Sequence, residues 1–224
     1  MRYLTFAVVG GLLLAGCDSE TPPPTQLGQF GAVAFAYGCT GQGDAACDTA
    51  CDDAANDELC EERKVDLTRL PTLALGSKFQ LTTEEPVTLA SSSESRLVQE
   101  GDDFIAAFEG ITAVLALKST GEVQDLVHVA VAEVKTVNID FRADFSVTEG
   151  HFEGNARIVM LGPDDRPLGG TFPCVWTTSD PTIVTITSDA MDNMIAFETG
   201  AVGTATLRAE LGDYSGVVEI EVTQ

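Results

Sequence analysis

Four cysteines, Cys39, Cys47, Cys51 and Cys60, fall within 22 residues of one another. Thiols that close either oxidise to disulfides or, as thiolates, hold a soft metal. Zinc sites built from four cysteines pair their ligands as C-x-x-C knuckles. Here seven, three and eight residues separate successive thiols, and no such knuckle occurs. Two disulfides confined to these four are therefore expected, with all three connectivities open. Each would restrain a segment rich in Ala and Asp that can build little core of its own, for about 2–4 kcal/mol. Cys174 stands apart. It lies two residues from Trp176, so on a strand both face the same way. The pair reads as core, a small apolar thiol beside the one tryptophan of the chain.

The same segment carries Asp44, Asp48, Asp52, Asp53, Asp57, Glu58, Glu61 and Glu62. Carboxylates are hard ligands, and calcium is the cation they would suit, at Asp44, Asp48, Asp52 and Asp53 first of all. A calcium loop also needs a glycine at its sharp turn, and residues 45–62 contain none. The segment therefore reads as a solvated acidic surface, with no metal and no cofactor expected. Asp102, Asp103, Asp164 and Asp165 read as turn residues. Of the two histidines, His128 alternates with Val127 and Val129, and His151 falls in a Gly-flanked turn. No G-x-S-x-G, S-x-x-K or H-E-x-x-H is present. Gly212-Asp213-Tyr214-Ser215-Gly216 has the wrong spacing for a nucleophile elbow and lies between two strands. Nothing brings a base to a nucleophile, and no enzyme is expected.

Against 35 Asp+Glu stand 12 Lys+Arg, a net charge of −23. That excludes the basic face nucleic acid requires. Charged residues make up only 21% and hydrophobic ones 44%, so the acidity belongs to a folded chain rather than a disordered tail.

The elements that must position these residues are strands. Residues 31–39 alternate with period 2, placing Val33, Phe35, Tyr37 and Cys39 on one face. From residue 65 onward short β-rich runs recur, at 73–76, 79–82, 87–90, 104–108, 111–117 and 126–134. They continue at 137–141, 156–161, 171–177, 183–187, 194–198, 203–211 and 216–223. Turn residues separate them, with Ser119-Thr120-Gly121 as a hairpin. Many short strands so spaced predict β-sandwiches. Residues 104–108 followed by Gly110 resemble residues 194–197 followed by Gly203, a weak internal repeat with its boundary near 133–136. Before all this, Arg2 precedes an apolar run over 4–16. That run is shorter than the ~20 residues of a membrane span and has the length of a signal-peptide core. Residues 18–29 include three consecutive prolines and read as an extended tether that lifts the fold off the membrane.

Leu14-Ala15-Gly16-Cys17 resembles the lipobox of bacterial lipoproteins. The resemblance implies cleavage before Cys17, a diacylglyceryl group on its thiol and an acyl chain on the new amine. Several chains at ~0.8 kcal/mol per buried CH₂ anchor stably where one does not. It places the protein in the cell envelope, at the outer membrane or cell surface. Asp18 resembles the inner-membrane retention signal of enteric bacteria and keeps the periplasmic face of the inner membrane open. Val175-Trp176-Thr177-Thr178-Ser179-Asp180-Pro181, with Ile183 to Ile186 and the glycine-led run from Gly200 to Leu207, resembles the bacterial Ig-like domain of group 2. The first half departs from that pattern. It lacks a Trp, carries the cysteine insertion, and has Ser91-Ser92-Ser93-Glu94-Ser95 where the family has a proline turn.

The expected chain is thus all-β, two tandem Ig-like β-sandwiches after a lipoprotein signal peptide and a Pro-rich tether. The signal peptide is 1–16, the lipidated Cys17 and tether 17–29, and the sandwiches 30–135 and 136–224. Two function classes follow. One is a lipid-anchored, non-catalytic structural, spacer or protein-interaction module. The other is an envelope receptor for calcium, glycan or peptide, using the acidic segment or the sandwich loops. The membrane is the partner through Cys17, and an envelope or extracellular protein or glycan is unassigned. Peptide mapping without reduction should find two bridges confined to Cys39, Cys47, Cys51 and Cys60. A bridge from Cys174 to any of them would contradict this.

Overall fold

The computed structural model describes residues 24–38, 43–47, 69–141, 146–148, 151–188 and 193–222. Cys17, Cys39, Cys51, Cys60, Asp48, Asp52 and Asp53 lie outside them. Apart from one 3-10 turn at Ala45–Cys47, the regular structure there is all strand.

The first half supplies β1 (Thr25–Leu27), β2 (Ala34–Gly38), β3 (Leu73–Ala74), β4 (Lys78–Thr83), β5 (Thr88–Ser91), β6 (Leu97–Glu100), β7 (Asp103–Ala106), β8 (Gly110–Leu117) and β9 (Val123–Ala132). One sheet has the order β1-β2-β4-β7-β6 and the other β3-β9-β8-β5. Alternation puts Val127, Val129 and Val131 of β9 on the buried face, with Val114 and Ala116 of β8. Phe35, Tyr37, Phe79 and Phe104 of the facing sheet complete one core. Two layers closing on one apolar interior make a sandwich.

The second half supplies β10 (Thr136–Phe141), β11 (Ser146–Thr148), β12 (His151–Leu161), β13 (Val175–Thr178), β14 (Val184–Ile186), β15 (Met194–Thr199), β16 (Gly203–Leu211) and β17 (Tyr214–Val222). The order β10-β12-β15-β14, with β11 beside β12, faces β13-β16-β17. Ile158, Ile195, Phe197, Leu207 and Trp176 share its core.

The two sandwiches are copies. The order β2-β4-β7-β6 matches β10-β12-β15-β14, and β9-β8-β5 matches β17-β16-β13. Ser91 pairs with Val114 as Thr178 pairs with Leu207. Leu97 pairs with Ala106 as Val184 pairs with Thr199. Even the turn that lacks its proline is the same turn. Ser92 N donates to Ala113 O and Ser179 N to Thr206 O. Each serine Oγ then accepts the returning N–H, at 3.2 and 2.8 Å. Phe104 takes the place of Phe197, not of Met194 as the sequence pattern suggests, and Leu89 takes the place of Trp176.

Several segments differ from expectation. Residues 25–27 are a strand paired to β2, so the tether stops short of Gln29. β6 and β11 were not legible. Residues 171–174 make no strand, and His151 opens β12 opposite Thr148. What binds the β1–β2 hairpin is Asp125, which is 0% exposed. Its carboxylate accepts N–H groups from Phe30, Ala32, Val33 and Leu126 at 2.7–2.9 Å. A side chain at Gly28 would place Cβ 2.4 Å from Asp125 Cγ, so only glycine admits this approach. Burial alone would raise the Asp125 pKa, yet the four N–H groups hold it below the ordinary carboxylate value. A lowered folded pKa contributes stability above the ordinary value, lost as pH falls through the folded one. Asp125→Ala should cost about 3 kcal/mol in urea unfolding at neutral pH. The difference from wild type should shrink in acid, where the wild-type carboxyl protonates; a pH-independent difference would contradict this account.

Candidate functional site

Of the insertions that break the repeat, two meet. Phe79 and Phe104 face each other as Gly154 and Phe197 do, so β4 and β12 correspond at a spacing of 75 residues. Ser91 and Thr178 correspond at 87. The second copy therefore holds 12 extra residues between β12 and β13. The first copy holds its own extra segment between β2 and β4, the one that carries the cysteines.

The second insertion adds backbone to the first sandwich. Ala74 N donates to Gly169 O and Gly169 N to Thr72 O. Lys78 and Thr171 exchange both bonds, each at 2.9 Å. Beneath this seam sits Asp44, only 4% exposed. Its Oδ2 accepts Tyr37 Oη–H at 2.6 Å and Gly170 N–H at 3.0 Å. Its Oδ1 accepts Ala46 N–H at 2.9 Å. Asn193, fully buried, accepts Phe172 N–H and donates to Gly170 O, each at 3.1 Å. Gly170 has φ +100, and a Cβ there would lie 2.1 Å from Ser77 Oγ; both facts demand glycine. β3 completes the joint by giving one side chain to each core, Leu73 to the first and Ala74 to the second.

Electrostatics follow from that burial. Desolvation raises the Asp44 pKa, against the opposing bonds from Tyr37, Ala46 and Gly170. Desolvation, then the Asp44 charge, pushes the Tyr37 hydroxyl well above its ordinary value. The arrangement binds one part of the chain to another, and among the described residues its polar groups are turned to the chain's own donors and acceptors.

The other expected residues are placed as follows. Asp44 departs from the solvated acidic surface and has its oxygens turned to the chain's own donors. Cys47 is disulfide-bonded, and its partner lies outside the described residues. Cys174 is free and buried, and burial pushes its thiol up to about 12, so it is inert at neutral pH. Trp176 is 8% exposed in the second core, and its indole N–H has no acceptor among the described residues. His128 is exposed on β9. Gly212 and Asp213 are the tight turn of the β16–β17 hairpin, and Tyr214 meets the Phe172 ring edge-on at 6.4 Å. Among the described residues no three His, Cys, Asp or Glu gather to hold a metal. A shallow groove of about 390 Å³ beside Phe108 is lined by Leu75, Glu109, Val131 and Glu133 among others.

Sequence reasoning missed both buried carboxylates. Asp125 carried a signal, since it falls in phase with Val127, Val129 and Val131 and so had to be buried. Asp44 carried none, being one acidic residue in a row of eight.

No family model matches the chain, and no curated protein does. Among solved structures it is similar to domains 5 and 6 of the S-layer protein SbsC, at 19% identity over 67% of this chain and 91% of that one, with a TM-score of 0.30. Domains 4 and 5 of SbsC match at 16% identity over 71% and 97%, with a TM-score of 0.31. A β-glucuronidase of glycoside hydrolase family 2 matches at 12% over 70% and 19%, with a TM-score of 0.33. Likeness at this level carries no argument, and the architecture rests on the strand pairing described above.

Asp44 has a raised folded pKa, so it contributes most stability in acid and loses it as pH rises from the ordinary carboxylate value through the folded one. The lowered carboxylates Asp103, Asp125 and Asp180 act below the ordinary value, so the two windows do not overlap. A fall in stability on the alkaline side of that value should flatten in Asp44→Asn. Gly170→Ala should cost about 3 kcal/mol through strain and overlap. A loss under about 1 kcal/mol would show that the seam tolerates a side chain there.

Proposed function

We propose that the chain is a lipid-anchored, non-catalytic structural module of the bacterial cell envelope. In this reading acyl chains on Cys17 hold it to the membrane, and two sandwiches act as one rigid piece. The observation that carries the reading is the seam. Tandem domains joined by a short linker move relative to each other unless their interface is large or specific. Here residues 133–135 are the whole linker, and the inserted segment pairs backbone to backbone with the first sandwich.

The buried carboxylates support the non-catalytic part. Asp44 and Asp125 have partners within the chain for both oxygens, and neither is aimed at open space. No helix among the described residues is long and apolar enough to cross a membrane. Lipidation at Cys17 rests on the Leu14-Ala15-Gly16-Cys17 resemblance.

The module reading is tested by two measurements. Wild type should partition into detergent and gain acyl mass, and Cys17→Ser should remain an unprocessed or water-soluble precursor. Spin labels at Thr120 and Val202 should report a single narrow distance that broadens in Gly170→Ala. Wild-type broadening equal to that of the variant would refute the rigid module, and unchanged partition of Cys17→Ser would refute the anchor.

A further inference from the structure

We infer that the β1–β2 end of the first sandwich rests on the lipid surface, with Leu27 and Phe30 entering the headgroup region. The inference depends on the anchoring of Cys17 proposed above. It replaces the expected tether that lifts the fold clear of the membrane.

The first argument is reach. Seven Cα steps separate Cys17 from Pro24, so the chain between them spans at most about 25 Å. Pro24 lies at the seam-side end of the first sandwich. Its carbonyl accepts Tyr37 N–H, and the Tyr37 side chain reaches Asp44 in the seam. From Pro24 the hairpin runs away from the seam to its tip at Gln29 and Phe30, about 17 Å along a strand. The direction is fixed a second way. Asp125 holds the tip, while Ala132, at the other end of the same strand, pairs with Ala74 at the seam.

The second sandwich lies on the opposite side of Pro24. Its seam end holds Phe172 and Tyr214, and its far end holds Gly203, nine residues along β16. That strand alone is about 30 Å long, beyond the reach of the anchor. The molecule therefore cannot stand with its second sandwich toward the bilayer. With the first sandwich toward the bilayer, the anchor leaves the hairpin tip within about 8 Å of the lipid.

The second argument is chemical. Leu27 is 62% exposed, Phe30 65% and Val123 47%, and all three share this end. Large apolar side chains held in water at a bilayer-facing tip are what an interfacial contact requires. The nearby Lys118 pairs with Glu122 at 3.7 Å, so among the described residues this cation is already met by a carboxylate. The contact is apolar and should be insensitive to salt.

The test uses the mature, lipidated chain in vesicles of phosphatidylethanolamine and phosphatidylglycerol with brominated acyl chains. Trp176 lies in the second core and supplies an internal reference. Phe30→Trp should show blue-shifted emission and lose about half of the added signal, as an indole held ~5–10 Å into the interface would. Val202→Trp, at the far end of the second sandwich, should lose none. No quenching at position 30 in protein that still floats with the vesicles overturns the docking and leaves the anchor standing. Quenching at 202 instead of 30 also overturns it. Wild type that fails to float, like Cys17→Ser, overturns anchor and docking together.

Discussion

A carboxylate taken out of water must be met by donors, and at Asp44 they come from three places in the chain. Tyr37 belongs to β2, Ala46 to the turn that follows Asp44, and Gly170 to the other sandwich. An unmet charge at that depth would be far more costly than any one of these bonds is worth. The position of the 162–172 segment is thereby constrained at one point in three dimensions. The backbone bonds to Thr72, Ala74 and Lys78 then extend the contact on either side. The rest of the seam, from Ser77 under Gly170 to Asn193 behind it, is shaped to let that one approach happen.

The two buried carboxylates show how differently one residue type can be used. Asp125 has four backbone N–H groups around it, and they outweigh its desolvation. Asp44 has two N–H groups and a hydroxyl, and desolvation wins. The first closes a local hairpin onto a neighbouring strand. The second joins the two sandwiches, and its burial holds the carboxyl above the ordinary carboxylate value despite those three bonds.

Much of the architecture was legible in the sequence because it rests on a period of 2. β16 and β17 follow the apolar alternation closely, and the Ser119-Thr120-Gly121 turn sits where an apolar run ends. The repeat was visible in outline, through Gly110 and Gly203, but six extra residues between β14 and β15 shifted the alignment of Phe104. β1 was hidden by the prolines that precede it and by its brevity. β6 was hidden because Gln99 and Glu100 dilute its apolar face. The seam was not legible at all. It depends on glycine backbone reaching across 126 residues, and no local pattern encodes which carboxylate of eight a distant N–H will find.

β3 has a consequence for the order in which the molecule assembles. It is two residues long, yet Ala74 belongs to the second core, whose other members begin at Val134. A chain that forms from its N-terminus can close the first sandwich while Asp44 still lacks Gly170 and Ala74 still lacks neighbours. The second sandwich then condenses against an edge that is already ordered. Its only freedom at that stage is the linker 133–135, so loop-closure entropy scarcely opposes the docking even though the contacts are distant in sequence. An early half formed in this way would present to the late one the carboxylate and the strand edge that Gly170 and Gly169 meet in the finished molecule.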